Sequence, residues 1–475
     1  MKSKLKINFL YSFIYQLLLI ILPLITAPYV SRVLGSEGVG IYSYTYSVSS
    51  CFAMFGLLGV ANYGNRIIAS NRDNKNIISE LFSDIWMIQQ AMTCLTLFIY
   101  VIYTLFVAEV IYRAALLIQI LIILCSCTDI SWFFWGLEEF KLTVVRNLII
   151  KCLTTISIFL FVKSNDDLLI YIAILCIGMI SGNLLLFPFL KKYIHYSKPS
   201  IKRMRQHFTP LLVLFVPVLA VNLYKKMDKI MIGIMSTMTQ TGYYENAEKI
   251  INIPMGLITA LGIVMMPRMS YLIGKGEKKQ IEYYLKTSVE FTFFLASALM
   301  FGIAGVANEF IPLFYGNEFY PVAGIIKVIS FTLLFISLAN IVRTQYLIPK
   351  HYDKVYIISV WAGAFVNLIL NYFLIPINAA LGASYATVLA EFTVMIIQIV
   401  YVWKEIPILT YLKKGLYYIA DGFVMFLAVR FSANYYNGWM GIIFEIAVGA
   451  LIYLAFSIPY VVVTHKISVR KFIKG

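Results

Sequence analysis

Uninterrupted apolar stretches of about 20 residues recur from one end of this chain to the other, each long enough to cross a hydrocarbon layer of about 30 Å as a helix. Inside lipid, every backbone amide must be satisfied within its own segment or by a closed sheet, and the short alternating segments of a β-barrel are not the pattern here. Only 13% of the 475 residues are charged and 61% are hydrophobic, against about a quarter and about a half in a soluble domain. The expected fold class is therefore an all-α integral membrane bundle of about fourteen transmembrane helices.

The spans are expected at 8–31, 39–63, 80–107, 114–135, 143–162, 168–190, 210–235, 242–266, 287–307, 323–347, 355–376, 380–402, 416–433 and 440–463. The first apolar run reaches Leu34, beyond the roughly 7–15-residue core of a signal peptide, and is expected to remain as a span. Orientation follows from lysine and arginine, which accumulate in cytoplasmic connections. With the N-terminus inside, roughly 29 of these residues fall on cytoplasmic connections and about 4 on external ones, so both termini are expected in the cytoplasm. The net charge of +16 is thus read as topological, and nucleic acid is not an expected partner.

The polar connection Lys191–Phe208, rich in lysine and arginine, separates six spans from eight. The expected organisation is an N-lobe (1–190), a basic cytoplasmic linker (191–208), a C-lobe of spans 7–12 (209–403), and two further spans with a basic cytoplasmic tail (404–475). Two six-span halves joined in this way suggest a transporter of parallel repeats. The six cysteines lie in spans with no pairing or metal signature. The four histidines, His465 among them, lie in or beside polar connections without metal-ligand spacing. No catalytic residue, metal site or cofactor is expected.

Cation retained at membrane depth is the informative chemistry, because isolated charge there costs at least about 2.5–3.5 kcal/mol. The densest cluster is Lys225, Lys226, Asp228 and Lys229 in span 7. On a helix Lys225, Asp228 and Lys229 share a face and Lys226 is rotated by about 100°. Two readings stand: Asp228 as a local salt-bridge partner for its lysines, or lysines that meet an anionic ligand while Asp228 orients them. Arg66 and Arg268 fall at the cytoplasmic ends of spans 2 and 8, where they would anchor the spans or capture an incoming phosphate. Arg32 is a rare outer-side cation. Arg146, Lys151, Glu248, Lys249 and Arg343 are read as interfacial anchors. Span carboxylates, Asp84, Asp129, Glu245, Glu290 and Glu391, are candidates for proton or sodium coupling. Tyr42, Tyr46 and Tyr244 offer faces for sugar stacking, set against a plainer role in helix packing.

Several motifs are familiar in order and spacing: the stretch from Tyr29 through Gly35, Gly38 and Gly40 to Tyr42, Trp132 to Lys141, Asp228 to Gly233 followed by Gly242 to Ala247, Met266 to Arg268, and Leu381 to Thr387. Together they resemble the polysaccharide-repeat (Wzx-type) flippases of the multidrug/oligosaccharidyl-lipid/polysaccharide (MOP) transporter superfamily. The resemblance implies two six-helix lobes in a MATE-like V, alternating access, and a lipid-linked oligosaccharide cargo on undecaprenyl pyrophosphate, moved outward across a bacterial cytoplasmic membrane for capsule or O-antigen. Membrane lipids, and polymerase or assembly proteins, are the implied partners. Peptidoglycan-precursor flippases of the superfamily typically have an arginine–aspartate pair late in span 1; Leu24–Tyr29 contains neither residue, which argues against a lipid II cargo. Competing expectations are a MATE-like multidrug exporter, whose cavity should be acidic, and a membrane polysaccharide polymerase or ligase, which should have a large external loop.

Overall fold

The computed structural model describes residues 2–464, with side chains from residue 22 onward except at positions 260, 263 and 464. The expected basic tail and His465 lie outside the described residues. Every regular element among the described residues is helical. In chain order these are α1 (Lys2–Leu57), α2 (Val60–Asn71), α3 (Lys75–Ile102), α4 (Val110–Ile118), α5 (Ile120–Thr128), α6 (Ser131–Gly136), α7 (Phe140–Phe161), α8 (Leu168–Leu184) and α9 (Phe187–Tyr193). They are followed by α10 (Ile201–Met235), α11 (Met238–Gly274), α12 (Lys278–Tyr315), α13 (Val322–Ile329), α14 (Thr332–Val342), α15 (Asp353–Val402), α16 (Ile408–Ser432) and α17 (Gly438–Thr464).

Among the described residues, twelve continuous helical runs are long and apolar enough to cross a membrane. Two of them, Leu22–Asn71 and Asp353–Val402, are 50 residues long. At about 1.5 Å per residue each measures some 75 Å, more than twice a hydrocarbon core. Both are interrupted: α1 breaks at Gly35 (φ 67°, ψ 177°) and α15 at Ala379 (φ 47°, ψ −126°). Dividing the two runs there gives the fourteen crossings read from the hydropathy.

Helix starts follow from local chemistry. Asn74 caps α3, its side chain accepting from Asn76 N at 3.0 Å and Ile77 N at 3.2 Å, and Thr237 caps α11 by accepting from Gln240 N at 3.3 Å. Backbone packing divides the chain into residues 1–234 and 235–475. The first unit has an aromatic core around Phe82, Trp132, Phe133 and Phe134. Gly64 lies flat on Trp132, so that a Cβ there would come within 2.4 Å of the indole, and Trp132 Nε1 donates to Gln89 Oε1 at 3.2 Å.

The segment read from sequence as a long linker is mostly ordered helix. Only residues 194–200, between α9 and α10, are non-helical, and this stretch is pinned to α3. His195 N donates to Ser79 Oγ at 3.2 Å, Ser200 N donates to Asp84 Oδ1 at 2.8 Å, and Arg203 pairs with Asp84 at 2.5 Å. Farther along, Tyr63 OH and His207 Nδ1 lie 2.7 Å apart. With its first turns held in this way, α10 belongs to the first packing unit, where a division at the basic linker would assign it to the second.

Candidate functional site

The first unit encloses an open cavity of about 710 Å³, within the roughly 300–1,000 Å³ typical of small-molecule sites. Its walls follow helical phase. Tyr42, Tyr46 and Ser50 line it from α1 at four-residue steps, Asn147, Lys151 and Thr154 with Arg146 from α7, Gly178, Gly182 and Asn183 from α8, and Val218, Asn222 and Lys226 from α10. Asp129, between α5 and α6, completes the polar lining.

Helical phase also splits the span 7 cluster. Lys226 lines the cavity and stands 4.9 Å over the Tyr46 ring, while Lys225 is exposed elsewhere, Asp228 is buried at 4% exposure and Lys229 is half-buried outside the lining. The two tyrosines stack on one another at 5.6 Å, and Tyr42 meets Tyr171 edge-on at 5.0 Å. They therefore form an aromatic wall with a cation above it.

Arg146 is held rigidly. Its Nε and Nη2 donate to Asn147 Oδ1 (3.1 and 2.7 Å), Nη2 also to Ser131 Oγ (3.4 Å), and Nη1 to Gly182 O and Asn183 Oδ1 (3.2 and 3.3 Å). A guanidinium anchored through all three of its nitrogens acts on the cavity as fixed positive charge. Asp129 is similarly committed, its Oδ1 accepting from Ser131 N at 2.9 Å at the start of α6. The lining thus holds three cations, Arg146, Lys151 and Lys226, to one carboxylate, a balance that suits an anion.

Arg146 and Lys151 were legible as charges but not as site residues. Lys151 lies in the middle of α7, about half the helix length from either end, too deep for a headgroup anchor, and that position was the available signal. The other expected residues lie apart from the cavity. Arg32 and Arg66 are exposed and line no part of it. In the second unit, Tyr244 is 2% exposed with its hydroxyl 2.9 Å from Thr387 Oγ1, so its ring offers no open face for a sugar. Glu245 pairs with Lys249 one turn along at 3.4 Å. Arg268 donates to Gln280 Oε1 at 3.4 Å and lies over Tyr271 and Tyr284 at 5.8 and 5.6 Å.

Residues 5–273 match the family model described as "Polysaccharide biosynthesis protein", and residues 140–464 match that of "Lipid II flippase MurJ". The chain is 23% identical over 407 residues to an Escherichia coli (strain K12) protein named "Putative O-antigen transporter", covering 84% of this chain and 97% of that one. It is 28% identical over 242 residues to a Haloferax volcanii protein named "Probable low-salt glycan biosynthesis flippase Agl15", covering 49% and 48%. Among solved structures, the lipid II flippase MurJ in an inward closed conformation superposes with a TM-score of 0.76 at 17% identity, covering 96% of this chain and 98% of that one. An inward-facing multidrug resistance MATE family transporter of the MOP superfamily superposes at 0.64 and 12% identity, covering 82% and 94%. At such identities the structural likeness establishes the fold, and the family models establish the lineage: the chain belongs to the polysaccharide biosynthesis protein family, the polysaccharide-repeat flippases of the MOP transporter superfamily.

Proposed function

We propose that this protein flips a lipid-linked oligosaccharide from the inner to the outer leaflet of a bacterial cytoplasmic membrane by alternating access, both chain termini facing the cytoplasm, to supply a capsule or O-antigen-type polymer. The observation that carries this reading is the cavity with Arg146, Lys151 and Lys226 against the single carboxylate of Asp129. A lipid-linked sugar has a polyisoprenyl tail, which can stay in lipid, and a diphosphate and glycan, which need a polar hollow with positive charge. Lys226 and Lys151 supply ammonium donors for the diphosphate, while the fixed Arg146 supplies field. The stacked Tyr42 and Tyr46, with Asn147, Asn183 and Asn222, supply ring faces and amides of the kind that bind sugars. Relatives named for O-antigen transport and glycan biosynthesis support the same class of cargo. The missing arginine–aspartate pair in span 1 continues to argue against lipid II.

Replacing Lys226 or Lys151 with alanine should cut surface-polymer export by about tenfold or more, since a hydrogen bond to a charged group contributes roughly 1.5–3 kcal/mol. Membrane levels should be normal, and K226R should restore part of the activity. Undiminished export by both alanine variants would remove the cavity from the transport path. A drug exporter would need an acidic cavity, and the same preparations should therefore not move cationic dyes.

A further inference from the structure

The second unit contains a charged group that the cavity does not use. Helices α12, α16 and α17 pack closely: Gly305 of α12 and Gly449 of α17 both lie against Val429 of α16, where an added Cβ would come within 2.9 and 2.8 Å of the valine. Beside that contact lies a cluster drawn from all three helices. Arg430 of α16 donates through Nη1 to Glu309 Oε1 and Oε2 of α12 at 2.9 and 2.7 Å, and to Gly305 O at 3.0 Å. Glu445 of α17 is fully buried, at 0% exposure, and neither of its carboxyl oxygens has a hydrogen-bond partner among the described residues. The charged groups acting on it are Glu309 and Arg430, and Lys327 of α13 acts on that same pair.

One guanidinium therefore acts on two carboxyls, and it is hydrogen-bonded to one of them. An ionised carboxylate buried without a bond to either oxygen is left with an uncompensated desolvation penalty of several kcal/mol. The neutral acid avoids most of that penalty. The arrangement is consistent only if Glu445 carries a proton while Arg430 is engaged by Glu309. Release of that proton would leave Glu445 negative and reward transfer of the guanidinium from α12 to α17. The Arg430 and Glu309 side chains are 30% and 27% exposed, and all three residues lie near helix ends, so a departing proton has a short route to water. Because Gly305 and Gly449 leave no slack around Val429, such an exchange of partners would shift α16 against its two neighbours.

We propose that Glu445 is an exchangeable proton-binding site, with Arg430 alternating between Glu309 and Glu445 as the proton binds and leaves. Nothing in this requires a particular cargo, so it stands or falls separately from the flippase reading. The test is a pH titration of the full-length chain in lipid nanodiscs, following the carboxylic-acid C=O stretch by infrared difference spectroscopy. The wild type minus E445Q difference should contain an acid band that disappears as pH rises. In E309Q, where Arg430 is left to Glu445 alone, the midpoint of that band should move to lower pH by about one unit or more. A wild type minus E445Q difference with no acid band, or a midpoint in E309Q equal to that of the wild type, would overturn the proposal. Should E445Q fail to fold, the E309Q shift decides by itself.

Discussion

Gly35 and Ala379 hold the same kind of position, a backbone break at positive φ inside a long helical run, yet only one of them is glycine. The Gly35 conformation, φ 67° with ψ 177°, belongs to a region essentially reserved for glycine. G35A should lose about 1–3 kcal/mol, seen as an earlier unfolding midpoint of the detergent-solubilised protein or as reduced membrane levels. At Ala379 the sign reverses. Glycine there removes strain of the same order and adds about 0.5–1 kcal/mol of unfolded-state entropy, so A379G should be neutral to stabilising in the same thermal assay. Close by, Gly382 admits no substitution, because a Cβ would come within 2.2 Å of Leu374 O. These positions also mark what residue-level reading can reach. Gly35 was visible inside a glycine-rich motif, whereas alanine, the strongest helix former, gives no hint of a break; the strain at 379 is imposed by packing rather than by local preference.

At the scale of elements, the first turns of α10 are secured by a carboxylate from another helix. Asp84 of α3 is fully buried and accepts from Ser200 N, from Arg203 Nε at 2.5 Å and from Arg203 Nη2 at 3.3 Å, while Arg203 Nη1 reaches Glu80 at 3.3 Å. In the sequence, Arg203 falls in the basic linker and Asp84 among the span carboxylates that are candidates for ion coupling. Each residue was legible, but their pairing across 119 positions was not, because periodicity reports which face of a helix is apolar and nothing about which distant charge it meets. D84N keeps the shape and removes the charge, so the bonds to Ser200 and Arg203 should weaken by about 1–3 kcal/mol. Limited proteolysis should then cut residues 194–205 several-fold faster than in the wild type, with the spans on either side still protected. Equal cleavage rates would mean that the segment is held by other contacts, such as Tyr63 with His207.

For the whole molecule, hydropathy was sufficient for the all-helical membrane fold and for a crossing count of about fourteen, because lipid imposes a length and a composition that few other constraints disturb. It was insufficient for the cavity, which depends on helical phase: one lysine of a close pair in α10 faces the hollow and its neighbour does not. That cavity has a consequence for energetics. Its formal charge is about plus two, and the proposed lipid-diphosphate cargo carries about two negative charges, so the site loaded with that cargo would be close to neutral and the field across the membrane would act mainly on the empty one. Whichever step the field touches, a complete cycle with the proposed cargo would carry its negative charge outward, worth roughly 2.3 kcal/mol per charge per 100 mV, or about 5 kcal/mol in all. In proteoliposomes with equal pH on both sides, an imposed potential negative on the donor side should therefore raise the equilibrium ratio of flipped to unflipped substrate by about three orders of magnitude per 100 mV. K226Q should slow the approach to that ratio without changing it, since the charge moved per cycle belongs to the cargo. A ratio that stays near one under an imposed potential would require a compensating ion in every cycle. Repeating the measurement with E445Q would then show whether that ion is the proton carried on α17.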